Sequence, residues 1–388
     1  MKSKLFAILI LSVFALSSVL FVGTASAWEK DNIKIVPALK VEERWDSNIF
    51  LDPSDEKDDF ITILTPSIFG EYSFGSSDRH KAKVDYKVDL GMFGKYHDQN
   101  YGNHDVLGEL ELNFNDYTLT VSDNFLYTSS RAGTEFENRN LRKENTGKVV
   151  LGADYNKFAF DVGYSNYLVY YHSDTLESLN RHENSVWGTG YVQVMPKTKA
   201  LLEYMYRRID YPDASGRDAN VHAGMVGVTG DLTSKITGTT KVGYKYKGYV
   251  DSSRDDFSGF IAHTSLSYDP TDRVNVFIAY EREPFESIYA NNNYYTGDHV
   301  TAAVNYKFGG GFIAKVDGKY FYNAYPEVRA GDSKKRKDHI WGAGAGLDYF
   351  WKEWLVAGVG YEFNQRASNI NSRDYDQHII KCDVKVMF

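Results

Sequence analysis

The chain has 388 residues, with 52 acidic and 44 basic side chains and a formal net charge of −8 at pH 7. This acidic balance argues against nucleic acid as a partner, and the single cysteine, Cys382, excludes an internal disulfide, a CxxC motif and a cysteine zinc site. The composition is nevertheless rich in rings, with 30 Tyr and 23 Phe, which is typical of transmembrane barrels.

The first 27 residues, MKSKLFAILILSVFALSSVLFVGTASA, carry two lysines, an apolar run and the small-residue pattern Ala25-Ser26-Ala27. This order predicts a signal peptide over 1–27 and a mature chain over 28–388. An N-terminal membrane anchor is the alternative. No later run reaches the length of about 18 apolar residues that a spanning helix needs, and no linker divides the chain, so 28–388 is predicted to be one domain.

Downstream, alternating segments of strand length recur without a helical interruption. In AKVDYKVDLGM, apolar residues from Ala82 to Met92 alternate with Lys83, Asp85, Lys87 and other small or charged residues. The same rule holds in GELELNF, TKVGYKY, AKVDGKY and WGAGAGLDY. Each segment therefore presents one apolar face and one polar face.

Short and long connections alternate along the chain. The short turns are predicted at Gly75 to Arg79, Asn115-Asp116, Asn156-Lys157, Pro196-Lys197, Thr233-Ser234, Asp269 to Asp272, Gly309 to Gly311 and Trp351-Lys352. The longer loops are predicted near 47–58, 97–103, 129–145, 173–183, 210–219, 251–256, 286–295, 324–337 and 366–375. This layout predicts an all-β protein, a transmembrane antiparallel up-and-down β-barrel of about 18 strands, with 16 possible, in the bacterial outer membrane. An even strand number places both termini on the periplasmic side. A soluble sandwich or propeller is the alternative.

A barrel of this size leaves an aqueous channel, and a lysine that faces lipid at mid-membrane costs roughly 2–4 kcal/mol. The charged face is therefore predicted to line the pore. Its members are Lys81, Lys83, Asp85, Lys87, Asp89, Glu109, Glu111, Glu203, Arg207, Lys241, Lys245, Lys315, Asp317, Lys319, Asp348, Lys381, Asp383 and Lys385. These charges either solvate the wall and pair across strands, or bind a polar solute or polymer.

Three loops are unusually charged. The loop WDSNIFLDPSDEKDDF concentrates carboxylates from Asp52 to Asp59; a solvated acidic loop and a divalent-cation site both remain open, although the spacing matches no calcium-loop pattern. The loops near 129–145 and 324–337 mix Arg, Lys and Glu, and each either folds inward as a constriction or points outward.

Signals for catalysis are poor. His172, Asp174 and Ser178 share one loop region, and no serine sits in a nucleophile turn. Gly309-Gly310-Gly311 reads as a hairpin turn, since no helix follows it. No HExxH motif occurs. The sequence therefore predicts no enzyme, no cofactor and no metal.

The stretch VPALKVEERWDSNIFLDPSDEKDDFITILTPSIFGEYSF resembles the outer-membrane β-barrel porin family that is often found with exopolysaccharide biosynthesis and export loci. Asp46, Ser47, Asn48 and Asp59 match the family's recurring element. The resemblance implies an outer-membrane pore for export of exopolysaccharide or passage of polar solutes. A structural or glycan-binding barrel without open transport is the alternative function. Expected partners are outer-membrane lipid and lipopolysaccharide, the barrel assembly machinery and polysaccharide export components.

The chain ends on HIIKCDVKVMF, an alternating segment. In a closed barrel this last strand must pair with the first. Its terminal Phe388 resembles the signal that bacterial outer-membrane barrels present to their assembly machinery.

Overall fold

A computed structural model describes residues 28–289, 292–329 and 332–388. These residues form one antiparallel sheet closed into a barrel. Its strands are β1 (Trp28–Lys30), β2 (Ile33–Asp46), β3 (Asp59–Phe74), β4 (His80–Phe93), β5 (Tyr101–Phe114), β6 (Tyr117–Thr128), β7 (Arg142–Tyr155), β8 (Phe158–Tyr171), β9 (Arg181–Met195), β10 (Thr198–Asp210), β11 (Ala219–Asp231), β12 (Ile236–Tyr249), β13 (Phe257–Thr271), β14 (Val274–Glu286), β15 (Tyr294–Gly309), β16 (Phe312–Ala324), β17 (Lys337–Lys352), β18 (Leu355–Ser368) and β19 (Tyr375–Met387). Short 3₁₀ turns lie at Ser76–Asp78, His97–Gln99, Asp174–Leu179, Ser215–Arg217 and Asn371–Arg373.

The barrel closes between its last and first long strands. β19 pairs with β2 from Ile379↔Asp46 to Met387↔Ala38, and the amide of Phe388 donates to the carbonyl of Pro37 at 2.8 Å. The wall is thus the predicted 18-stranded up-and-down barrel, β2–β19, and β1 adds a three-residue pairing to the start of β2. Because closure leaves no unpaired edge in the wall, every strand of the ring has two hydrogen-bonded neighbours.

Alternation along the strands produces two surfaces. On β4 the apolar residues stand outward and remain accessible, with Val84 at 46% and Met92 at 43% exposed. Leu202, Phe260 and Val316 repeat this on other strands at 65%, 76% and 56%. In a water-soluble fold such a continuous apolar surface would be covered. The outside of this barrel is instead the band that lipid covers.

The short turns use residues whose side chains permit the backbone conformation that a tight turn needs. Asn115 and Asn156 take positive φ of 62°, and Gly309, Gly310 and Gly311 have φ of 93°, 61° and 86°, a region that Asn and Gly enter most easily. Two predicted turns are displaced. β13 continues to Thr271 and β17 continues to Lys352, so the turns lie at 272–273 and 353–354.

The predicted loop 129–145 is four residues too long, because β7 begins at Arg142. The run Arg-Lys-Glu-Asn has no apolar member to mark it as a strand. Within the described residues, no helix is both long and apolar enough to cross a membrane. The predicted signal peptide, residues 1–27, lies outside the described part of the chain.

Candidate functional site: a constriction inside the barrel

One loop, residues 129–141 between β6 and β7, crosses the inside of the barrel; we call it the constriction loop. The loop leads into β7, and β7 and β16 are nine strands apart in a ring of 18, which places them on opposite walls. Nevertheless the Thr134 Oγ1 atom accepts a hydrogen bond from the Asn323 Nδ2 atom of β16 at 2.8 Å. Asn323 lies at the loop-side end of β16, so the loop crosses the barrel at that end and narrows the channel there.

A carboxylate fixes the C-terminal half of the constriction loop to the far wall. Glu137 Oε1 accepts from Arg366 Nη2 on β18 at 3.0 Å and from Arg373 Nη1 at 2.9 Å. Arg366 also donates to the Thr134 carbonyl at 2.9 Å and is only 2% exposed. Charge-assisted pairs of this kind are stronger than neutral hydrogen bonds. Glu137, Arg366 and Arg373 form what we call the far-wall tether.

Glu135 makes a second attachment. Its carboxylate accepts from Ser287 Oγ at 2.8 Å and from the Ile288 amide at 2.9 Å, both in the loop after β14. Burial raises the pKa of Glu135, which is 4% exposed. The next residue, Phe136, is buried and stacks on Tyr171 with ring centroids 5.8 Å apart.

The N-terminal half is held near β2. Arg131 donates through Nη2 to the Ile49 carbonyl at 2.5 Å. In the C-terminal half, Arg139 lies over the Tyr101 ring of β5 at 3.8 Å. Burial, with repulsion from Arg139, lowers the pKa of Arg131. The constriction loop is therefore attached at both halves and in several directions.

A cavity of about 290 Å³ lies beside the constriction loop. Its lining is mostly tyrosine, arginine and glutamate, and includes Arg131, Thr134, Glu135, Phe136, Arg142, Glu144, Tyr167, Tyr171, Arg181, Tyr211, Glu286, Ser287 and Tyr295. Arginines lie over tyrosine rings nearby, as for Arg181 over Tyr167 at 5.3 Å. Such a surface offers flat faces together with hydrogen-bond donors and acceptors, which suits polar ring-shaped solutes.

The second loop considered as a constriction is different. In the described part of 325–336, Arg336 pairs with Asp338 of the adjoining strand at 2.6 Å and donates to the Tyr289 hydroxyl at 2.9 Å. The Glu327 amide donates to Asn292 at 2.9 Å. These contacts are to the neighbouring hairpin, so this loop supports the rim of the barrel.

The side chains predicted to line the pore lie on the strand face opposite to the exposed apolar residues, and many pair across strands. Lys83 contacts Glu109 at 3.0 Å, Lys87 contacts Asp105 at 2.8 Å and Lys241 contacts Glu203 at 2.9 Å. Arg207 contacts Glu183, Lys245 contacts Glu283, Lys315 contacts Asp348, Lys381 contacts Glu362, and Asp89 accepts from Thr65. Lys81 lies opposite Glu111 in the β4–β5 register, and Asp85, Asp317, Lys319, Asp383 and Lys385 occupy the same face of β4, β16 and β19. Lys241 and Glu203 belong to β12 and β10, with β11 between them, and such a reach is easiest on the concave side.

The four residues of the family element organise loops. Asp46 Oδ1 accepts the Asn48 amide at 2.9 Å, and Asn48, fully buried, donates to carbonyls of Asp52 and Asp376. Ser47 Oγ accepts the His378 amide at 2.8 Å. Asp59, also fully buried, accepts the amides of Lys95 and Tyr96. The element thus fastens the first long loop to β19 and to the loop after β4.

The acidic loop uses its carboxylates internally. Asp52 Oδ1 accepts the amides of Ser54 and Asp55, which lowers the pKa of Asp52. Asp55 pairs with Lys57 and Asp58 with Lys95, each at 2.5 Å. Among the described residues there is no group of three or more His, Cys, Asp or Glu side chains placed to hold a metal ion.

Sequence reasoning missed the individual members of the constriction: Thr134, Glu135, Glu137, Asn323 and Arg366 were not singled out. Each is separated from its partners by 152 to 236 residues along the chain. The only available signal was the charge mixture of the loop itself.

A closed 18-stranded barrel with an apolar outside, charged inner strand faces and an inward loop defines an outer-membrane channel of the porin class. The chain belongs to the family described as "Putative beta-barrel porin 2", whose model matches residues 34–388. No curated protein matches the chain well enough to count as a relative.

Solved structures share the fold. OpdQ of Pseudomonas aeruginosa is 11% identical, with 92% of this chain and 99% of that chain covered and a TM-score of 0.52. OpdK of the same organism is 11% identical, with 91% and 99% covered and a TM-score of 0.50. OccAB3 of Acinetobacter baumannii is 12% identical, with 92% and 100% covered and a TM-score of 0.50. At these identities the likeness is one of fold.

Proposed function

We propose that this outer-membrane barrel passes small polar solutes through a charged, hydrated lumen whose width is set by the constriction loop. The observation that carries the proposal is the set of attachments from Thr134, Glu135 and Glu137 to parts of the barrel six to nine strands away around the ring. They divide a wide barrel into smaller passages. The pore-lining charges form the wall of those passages, and both signs are present, so neither ion sign is strongly excluded.

Export of an exopolysaccharide is the second candidate function. The tyrosine and arginine surface beside the constriction loop favours it, because sugar rings stack on aromatic faces and their hydroxyls bond to guanidinium and carboxylate groups. A polymer would fill the passage, so this function requires the constriction loop to move aside. The polysaccharide export components expected as partners belong to this candidate.

The proposal fixes an orientation. The termini and short turns lie on the periplasmic side, after removal of a signal peptide ending at Ala27, and the long loops face outside. Phe388 is the signal read by the assembly machinery, and lipopolysaccharide surrounds the loop-side rim. Protease cleavage at a site inserted near Glu56 in intact cells tests this orientation independently of transport.

The test of function is conductance in a planar lipid bilayer. The refolded chain 28–388 is compared with a variant in which 132–138 is replaced by a short Gly-Ser linker. We expect a steady small conductance for the native chain and a larger one for the variant, because the native loop occupies part of the cross-section. Oligosaccharides of increasing length are then added to the native chain and to the variant. Block of the native channel by short oligosaccharides alone supports passage of small solutes, whereas block by longer chains, or their transit, supports polysaccharide export. A silent native chain together with a silent variant would contradict both and favour the structural or glycan-binding barrel.

A further inference from the structure

The lipid-facing surface near the long loops carries a repeated pair of side chains. Tyr320 on β16 and His339 on β17 are joined by a contact of 2.8 Å between the hydroxyl and Nδ1. The same contact is made by Tyr86 with His104, Tyr204 with His222 and Tyr361 with His378, at 2.8–2.9 Å. In each pair the histidine stands two register positions nearer to the long loop than the tyrosine.

The repetition extends to the packing. In three of these pairs a second ring lies directly across from the histidine: Tyr206 at 5.2 Å, Tyr322 at 5.0 Å and Phe363 at 5.1 Å between centroids. The sequence signature is an aromatic-x-aromatic step on the strand before the loop, and a histidine shortly after it. His222, His339 and His378 remain exposed. The tyrosine and the second ring therefore fix the histidine ring at the edge of the apolar band.

This arrangement leaves one imidazole N–H that can donate to a group outside the pair. When the tyrosine hydroxyl donates to Nδ1, a neutral imidazole carries its proton on Nε2. That N–H is not used by the pair and lies at the level where lipid headgroups begin. Buried or interfacial donors of this kind are stabilised by an anionic acceptor.

The loop-side rim and the short-turn rim of the barrel differ in how their histidines are held. On the short-turn side, His80 packs between Phe74 and Phe114, and its Nδ1 accepts the Asn113 amide. The exposed rings there include Phe308, Trp351 and Trp354, which offer no pair of this type. The four Tyr–His pairs with a hydroxyl–Nδ1 contact therefore lie toward the loop-side rim.

Charge beside His339 identifies the partner of that pair. Lys337, two residues before His339 on the same outward face, is exposed and has no carboxylate in contact within the described part of the chain. At His378 the corresponding position is an acid, Asp376. We propose that His339 and Lys337 form a docking site for a phosphate group of the outer-leaflet glycolipid, with Tyr320 holding the imidazole in place.

The proposal rests on the orientation given under the proposed function, in which the long loops face outside. Lipid that binds only the folded barrel raises its unfolding midpoint. The native chain is therefore placed in vesicles of phosphatidylcholine alone, with added phosphatidylglycerol, and with added lipid A. Unfolding is followed by the mobility shift of heated samples on gels.

We expect lipid A to raise the midpoint of the native chain more than phosphatidylglycerol does. His339→Phe, which keeps a ring but removes both nitrogens, should lose most of that additional rise, and so should Lys337→Gln. His378→Phe is the matched control, because Asp376 repels phosphate there, and it should keep the rise. Tyr320→Phe, which releases Nδ1, should give an intermediate loss.

Equal effects of His339→Phe and His378→Phe, or no loss in either, would overturn the proposal. An equal rise with phosphatidylglycerol would assign the site to phosphate headgroups in general and overturn the choice of glycolipid. The conductance measurement is independent of these outcomes. A native chain with normal conductance but no lipid A effect contradicts only the docking site.

Discussion

The far-wall tether is the attachment most open to a quantitative test. Glu137→Gln removes the carboxylate that two arginines share, at 3.0 and 2.9 Å, and leaves the 2%-exposed Arg366 without a charged partner. A hydrogen bond to a charged group contributes about 1.5–3 kcal/mol. Since Glu137 is 32% exposed, solvent screening reduces this contribution, and we take about 2 kcal/mol for the two bonds together.

A loss of about 2 kcal/mol from the anchored state raises the ratio of released to anchored loop roughly thirtyfold, since 1.4 kcal/mol is a factor of ten. Single-channel recording is the assay. We expect Glu137→Gln to show more frequent and longer steps to a larger conductance, because the released loop no longer fills the lumen. The size of the larger step should approach that of the linker variant lacking 132–138.

The control is Glu56→Gln, which removes one exposed carboxylate from another loop on the same side of the barrel. It alters the charge at the entrance but touches no part of the tether, so its gating should equal that of the native chain. Native gating in Glu137→Gln would show that the constriction loop is held by its other contacts, and the far-wall tether would then be dispensable. Increased gating in both variants would point to surface charge instead.

Three further results are expected. Burial raises the pKa of Glu135 above its ordinary 4.5, so the anchored loop holds this proton more tightly than a released loop, and anchoring strengthens as pH falls through the raised pKa. The conductance of the native chain should therefore fall on acidification, and Glu135→Gln should remove that pH dependence. A native conductance that rises on acidification would contradict the sign of this effect. Val84→Lys places a charge in the lipid-facing band at a cost of about 2–4 kcal/mol. In urea unfolding it should lower the stability of the refolded barrel by more than Lys83→Val, which breaks a partly exposed ion pair. The reverse order would show that the face assigned to the lumen faces lipid. Deletion of Phe388 should lower the amount of barrel found in the outer membrane of cells, and an unchanged amount would count against its role as an assembly signal.

The strands could be predicted because successive residues of a barrel strand face the lipid and the lumen in turn, which gives the sequence a two-residue period. Each strand of the wall has lipid on one side and water or polar groups on the other, so segments such as 82–92 alternate with few exceptions. The period fails where both faces are polar. Arg142 and Glu144 begin β7 as an ion pair at 2.5 Å, and with Lys143 between them the segment looks like a loop.

The constriction could be predicted only as one of two possibilities. A loop's sequence shows that it is charged, but its direction depends on whether the opposite wall offers matching groups. Glu137 finds Arg366 and Arg373, which lie 229 and 236 residues away along the chain. No local pattern carries that information. The family element was visible as a motif, but its function in loop attachment appears only when β2 and β19 are brought together.

The constriction loop is attached chiefly through hydrogen bonds and ion pairs, with Phe136 as its one buried apolar anchor. This choice has a physical consequence for transport. Apolar packing across the lumen would exclude water and close the barrel, whereas polar attachments are compatible with water on every side of the loop. Polar attachments also exchange with solvent or with a polar solute at small net cost, because a lost protein hydrogen bond is replaced by another. Under the proposed function, a solute rich in hydroxyl or charged groups would compete for these attachments as it passes, while an apolar solute of the same size would not. The proposal therefore ties selectivity for polar solutes to the same contacts that narrow the channel.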